Sequence, residues 1–247
     1  MRPVEAAGAI VTQPTILQDL SARLENHGLR LRGGFPLVQE MDQMAMTQVP
    51  AARSLLLVGN AGSEMWRRSG RAIEALGLPD PLDRWTRQVI DPIAADFAGI
   101  ALFPFDGPPF WPFQRWAARA EGVAASPLGI LMHPDFGLWH AYRAAILLPE
   151  AVAFPAPAPR SHPCDTCRDR PCLATCPVGA FTGAGYDVDH CVRHVAASMS
   201  DPEACFQRGC LARLACPIGS DWRYEPEHAE FHMRAFVVAR LGVLPES

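Results

Sequence analysis

The chain has 247 residues and 26.9 kDa, with 49% hydrophobic and 19% charged residues and a mean hydropathy of +0.03, which is enough apolar material for a continuous core and excludes a disordered chain. A formal net charge of -4 and a pI near 6.1 argue against a broad basic surface for sequence-independent nucleic-acid binding. All 22 positive side chains are Arg and none is Lys, which excludes a Schiff-base lysine, a P-loop lysine and a Ser-Lys nucleophile.

At the N-terminus, MRPVEAAGAIVTQPT sets Glu5 close behind Arg2 and lacks the apolar core of a signal peptide, and no run approaches the ~18 apolar residues of a membrane helix. A cytoplasmic protein with no membrane partner is expected. Thr15 should cap a helix with Ile16, Leu17, Leu20 and Leu24 on one face, ended by Gly28. Ser54 to Val58 (SLLLV) reads as a strand, and Ser63 opens a helix closing at Gly77. The intervening Gly59-Asn60-Ala61-Gly62 lacks a full G-x-G-x-x-G and reads as a tight turn into a packed helix. Pro81 begins a helix through Trp85, Val89 and Ile93. Ile100 to Phe103 is a strand, Pro112 to Glu121 a helix and Leu128 to Met132 a strand, followed by a compact turn and a returning strand. On spacing alone, His133 before Pro134 is a turn residue, and Phe136, Trp139 and Tyr142 are core. The segment from Val152 to Pro163 is rich in Pro and Ala and reads as a stiff connector, and a helix through Phe231, Phe236, Val237 and Leu241 stops at Gly242 and packs back as a strap.

All eight cysteines lie between Cys164 and Cys216, which marks a second module. The first block, Cys164-x2-Cys167-x4-Cys172-x3-Cys176-Pro177, and the second, Cys191 followed by Cys205-x4-Cys210-x5-Cys216-Pro217, each end in Cys-Pro, and eight thiolates divide evenly into two four-ligand sites. A pair of structural zinc sites is the main alternative, but such sites usually pair two C-x2-C knuckles and only one occurs here. Disulfides would need an oxidising compartment. His162, His190 and His194 lie beside the cysteines and are left out of the ligand set as surface or outer-shell groups.

The cysteine pattern resembles that of bacterial two-cluster ferredoxins, C-x2-C-x2-C-x3-C-P, in which three early cysteines hold one cluster and the fourth reaches the other. The resemblance implies two 4Fe-4S clusters, with Cys164, Cys167, Cys172 and Cys216 on the first and Cys176, Cys191, Cys205 and Cys210 on the second. The two extra residues before Cys172 and the longer gaps of the second block depart from the pattern.

The string Gly129-x3-His133-Pro134-x-Phe136-Gly137-x-Trp139, continuing Arg143-Ala-Ala-Ile-Leu-Leu-Pro149, resembles the corrinoid-binding domain of cobalamin-processing proteins of the MMACHC type. Epoxyqueuosine reductases and reductive dehalogenases join a related nitroreductase-derived domain to two 4Fe-4S clusters in the same order. The resemblance implies an α+β protein with four parts. Residues 1–151 form a nitroreductase-related α/β sandwich that binds cobalamin, 152–163 a Pro-rich linker, 164–221 a small ferredoxin-like domain with two clusters, and 222–247 a C-terminal helix packing back. It implies that His133, Phe136 and Trp139 lie near the corrin and that Asp106 is a proton donor, although the Gly-Lys-Asn or Gly-Lys-His signature of the reductases is missing. The expected function is electron transfer from the clusters to a bound cobalamin, for cobalt reduction or removal of its upper ligand, with a reduced ferredoxin or flavodoxin-type protein as donor. Cobalamin binding and handover, or a plain ferredoxin-type carrier, are the alternatives. No helical-repeat segment follows the cysteines, so a tRNA substrate is not expected.

Overall fold

The computed structural model describes residues 15–158, 160–183 and 185–244. The signal-peptide reading of the first residues lies outside these. Helix α1 (Ile16–Glu25) starts where Thr15 and Gln18 cap each other reciprocally, and it buries Leu20 and Leu24. Strand β1 (Arg30–Pro36), helix α2 (Gln39–Gln48), strand β2 (Ser54–Ala61), helix α3 (Glu64–Ala75), helix α4 (Pro81–Asp96), strand β3 (Ile100–Leu102) and helix α5 (Phe113–Glu121) follow. Short strands β4 (Ala124–Ala125) and β5 (Leu131–Met132) then precede the long β6 (His140–Leu148).

The main sheet has the order β1-β2-β6-β3, with every neighbouring pair antiparallel. β2 is buried along its whole length, which is why SLLLV is a continuous apolar run and not an alternating one. The period of two along the strands divides its core in two. Leu56, Val58, Ala144, Ile146 and Leu148 face Leu20, Met65, Trp85 and Ile90 of α1, α3 and α4. Leu55, Leu57, Ala145 and Leu147 face Ala45 of α2 and Phe113 and Trp116 of α5. Helices on both faces make an α/β sandwich.

Two expectations change. The strand foreseen at Leu128 to Met132 shortens to β5, which pairs with β4 and not with the returning strand. That returning strand, β6, becomes a central strand of the main sheet because its Ala-Ala-Ile-Leu-Leu run is apolar on both faces. β1 and α2 escape the sequence pattern. In β1, Gly33, Gly34 and the buried Arg32 break the alternation, and α2 is kinked at Asp42, which accepts the Val38 amide and pairs with Arg119.

The cysteine-bearing stretch contributes α6 (Pro171–Ala174), hairpin strands β7 (Phe181–Thr182) and β8 (Gly185–Tyr186), α7 (Val188–Ala197), α8 (Cys205–Arg208) and α9 (Leu211–Leu214), and the chain ends in α10 (Pro226–Leu241), stopped by Gly242 at φ +79°. It packs directly on the sandwich. At Gly137, with φ +57°, an added Cβ would fall 1.9 Å from the Ile218 carbonyl oxygen, and at Gly219 one would fall 2.3 Å from the Phe136 carbonyl carbon. Only glycine lets these two backbones approach so closely. α10 packs back as foreseen, setting His228 and Phe231 against Trp66 of α3.

Candidate functional site

The cysteines fall around two cavities. The first, about 240 Å³, is lined by Cys164, Cys167, Cys172 and Cys216, and the second, about 190 Å³, by Cys176, Cys191, Cys205 and Cys210. All eight are free thiols. The segment 126–138 of the sandwich walls both: Ser126, Pro127, Met132 and Leu138 line the first cavity, Leu128 and Ile130 the second. Local structure accounts for the positions. Pro171 starts α6 and seats Cys172 in its first turn, α7 carries Cys191, and the buried Cys205 opens α8.

Burial raises the pKa values of Cys164, Cys172, Cys191, Cys205, Cys210 and Cys216, that of Cys210 to about 11, and neighbouring thiols of the same set add to the rise. Cys164 senses Cys216, Cys172 and Cys167, whereas Cys205 senses Cys191 and Cys176. Thiols gathered this way lose their protons to solvent when a cationic centre binds them. Donors to sulfur are already present: the Ala180 amide reaches Cys176 Sγ at 3.3 Å and the Tyr186 hydroxyl donates to Cys191. Among the described residues no three His, Cys, Asp or Glu side chains converge tightly enough to hold one metal ion. Each set of four thiols lines one cavity, and four thiols are the donor set that an iron-sulfur cluster would take.

Of the neighbouring histidines, His162 Nδ1 accepts the Cys164 amide at 3.3 Å, His190 is exposed, and His194 lines the second cavity with a buried Nε2 that has no partner among the described residues.

Next to the first cavity, His133 and Gly137 close a small antiparallel turn. The Asp135 and Phe136 amides both donate to His133 Nδ1, at 3.0 and 3.1 Å, and the Phe136 ring stacks on the imidazole at 4.2 Å. Nδ1 is thereby an acceptor, so the neutral ring carries its proton on Nε2. Burial and the Arg32 charge push the His133 pKa down. The other face of His133 lines an open groove of about 600 Å³ whose remaining walls include Glu121, Pro134, Asp135 and the linker residues Phe154 to Ala158.

Beneath this turn lies a polar network. Arg32 of β1, 1% exposed, forks onto Glu121 at the end of α5 (2.9 and 2.8 Å), reaches His140 Nδ1 at 3.2 Å, and stacks over the Phe136 and Tyr142 rings. Tyr142 donates its hydroxyl to Glu121, and His140 Nε2 meets the Leu131 carbonyl at 2.9 Å. Burial, then the Arg32 charge, drives the His140 pKa down to about 3.

A second polar knot clasps the C-terminal strap to the sandwich. Ser63 Oγ accepts the Glu225 amide at 2.8 Å and sits 3.0 Å from His228 Nδ1, and His228 Nε2 lies 3.1 Å from His232 Nε2. Tyr224 stacks on His228 at 4.0 Å. Burial lowers the His228 pKa to about 3 and that of His232 well below its ordinary value. Trp139 belongs to this knot. It is 3% exposed, edge-on to Tyr224 and covered by Arg213 at 4.3 Å.

No family model and no curated protein matches this chain. Solved structures match its fold. The epoxyqueuosine reductase of Streptococcus thermophilus superposes with a TM-score of 0.53 at 9% identity, over 83% of this chain and 66% of that one. A selenomethionine-labelled epoxyqueuosine reductase gives 0.50 at 13% identity, over 86% and 68%. CblC of C. elegans, a B12-trafficking protein homologous to human MMACHC, gives 0.50 at 11% identity, over 90% and 94%. The chain has the fold these proteins share. It spans about two thirds of the reductases' length and nearly all of CblC's.

Within this CblC-like fold the three residues expected near a corrin and the expected proton donor Asp106 lie in different surroundings. His133 and Phe136 share the turn above Arg32. Trp139 packs edge-on to Tyr224 and is sealed between sandwich and strap, while its neighbour His140 opens β6 and joins the Arg32 network. Asp106 accepts a hydrogen bond from Arg87 of α4 at the protein surface, and no hydrogen bond, ion pair or ring contact joins it to the other three among the described residues. Sequence reading missed Arg32, Glu121, His140 and the Ser63-His228-His232 knot. The buried charge in a strand otherwise built for a core was the available signal for Arg32.

Proposed function

We propose that the protein is an iron-sulfur electron carrier with two 4Fe-4S clusters, one in each four-thiol cavity, that serves a corrinoid held on the sandwich. The observation that carries this reading is the sorting of eight cysteines into two cavities of four behind one shared wall, residues 126–138. When bound, such clusters supply single electrons at potentials that can lie near -400 mV or lower, within the range that reduction of a corrinoid cobalt requires. Cys164, Cys167, Cys172 and Cys216 would hold the first cluster, and Cys176, Cys191, Cys205 and Cys210 the second. Leu138, Met132, Leu128 and Ile130 exclude water between the thiols and the sandwich, which keeps the electron path short and dry.

The groove beside His133 is the candidate place for the corrinoid's edge. With Nδ1 occupied by two amides, His133 offers an N–H donor and not a lone pair, so it would orient an acceptor group, such as a peripheral amide carbonyl, and would not ligate cobalt. Trp139 has no free face for a ring. Asp106 remains a candidate proton donor only for an organic substrate that reaches the α4 side. A second reading, corrinoid binding and handover without an organic substrate, is supported by the fold shared with the B12-trafficking CblC. A reduced ferredoxin or flavodoxin-type donor fits either reading.

Anaerobic absorbance with iron, sulfide, zinc and cobalt analysis, before and after incubation with hydroxocobalamin and desalting, tests the proposal. About eight irons per chain with retained cobalt is the expected result. Iron without cobalt would reduce the protein to a plain carrier, and zinc without iron would overturn the reading.

A further inference from the structure

Resting on the two-cluster reading, we propose that His194 is a hydrogen-bond donor to the second cluster that raises its reduction potential. His194 follows Cys191 by three residues on α7, so the two side chains share one helix face. Both line the second cavity, with Cys176, Cys205 and Cys210 completing the thiol ring and Met233 and Phe236 of α10 closing the outer side. The imidazole Nε2 is buried there and meets no acceptor among the described residues. A buried nitrogen left unpaired is destabilising by about 1–3 kcal/mol, so a fold that keeps one facing a cavity implies an acceptor that arrives with the cavity's occupant.

The chemistry of the walls narrows that acceptor. The polar side chains lining the cavity other than His194 are the four thiols, the Tyr186 hydroxyl, which donates to Cys191, and the Arg213 guanidinium, which donates to the Leu138 carbonyl. Every one of these is a donor or a prospective ligand. An N–H at His194 Nε2 would add a further donor to a space built to receive electron-rich sulfur. Hydrogen bonds to cluster sulfur stabilise the added negative charge of the reduced state and raise the potential. Four thiols already complete the ligand set, so His194 acts on the cluster's charge and not as a ligand.

The test is an EPR-monitored redox titration of the anaerobic holoprotein beside His194→Leu and His194→Gln, with iron counted in each. The wild type should give two midpoints and about eight irons. In His194→Leu one midpoint should fall and the other stay, with iron unchanged, and His194→Gln, which retains an N–H donor, should recover part of the fall. The same fall should appear in a Cys164→Ala background, where the second cluster stands alone. Unmoved midpoints at full iron, or equal movement of both, would overturn the proposal. So would the loss of four irons in both variants, which would make His194 a support of the pocket. A wild-type protein with far fewer than eight irons would fail earlier, at the two-cluster reading itself.

Discussion

Acid should loosen the protein through its buried histidines, and His228→Gln isolates the effect. His228 is fully buried and His140 is 5% exposed, and both have their pKa lowered from 6.5 to about 3, chiefly by burial. In the unfolded chain each imidazole takes a proton near pH 6.5, whereas in the folded chain it does so only near pH 3. The unfolded state therefore binds more protons throughout that window, and the stability present above pH 6.5 is lost as the pH falls toward 3. Between pH 7 and pH 5 the linkage integral comes to about 2 kcal/mol per histidine, or about 4 kcal/mol for the pair, a large part of a typical domain's 5–15 kcal/mol. Urea unfolding followed by tryptophan fluorescence at pH 7, 6 and 5 measures it. His228→Gln can keep the contact to Ser63 but cannot titrate, so its stability deficit against wild type should shrink by about 2 kcal/mol on going from pH 7 to pH 5. Carboxylate titration and acid lability of clusters are common to both proteins and cancel in the difference. A deficit that stays constant across the range would refute the account of His228 as a buried neutral base.

Cys164→Ala should lose about half the iron and keep the other half, since its thiol lines only the first cavity, and full iron retention would break the partition. Gly137→Ala places a Cβ on the Ile218 carbonyl in a left-handed conformation, and should destabilise by more than about 2 kcal/mol, seen as a lowered urea midpoint. Arg32→Met strands Glu121 and should cost about 3–5 kcal/mol, whereas Arg32→Met with Glu121→Leu should recover most of it; equal losses would deny the pairing. If Asp106 serves an organic substrate, Asp106→Asn should abolish turnover while leaving iron and retained cobalt unchanged, and undiminished turnover would remove it from the mechanism.

The parts of this protein that were legible in the sequence are those whose determinants are local. Thr15 and Gln18 cap a helix within four residues, SLLLV is a strand because it is apolar without interruption, and Cys-Pro twice over fixes where thiols turn back. The expected division of the cysteines rests on the ferredoxin resemblance; Cys164, Cys167, Cys172 and Cys216 line one cavity and Cys176, Cys191, Cys205 and Cys210 a second. Arg32 reads as a flaw in a strand until Glu121, 89 residues away, and His140, 108 away, are brought to it by the sheet order β1-β2-β6. The surroundings of Trp139 show the same limit. Its motif context is local, but the surface that covers it, Tyr224 and Arg213, arrives only when the cysteine stretch folds back.

That fold-back also explains why the two halves act as one. The glycines at 137 and 219 bring the His133 turn and the end of the cysteine stretch into backbone contact, and the Ser63-His228-His232 knot holds the strap against the far side. The wall 126–138 is therefore gripped from both directions, with thiols on one side and the His133 groove on the other. Under the proposed function, a cluster behind this wall would deliver electrons to a neighbouring ligand across a partition a few side chains thick.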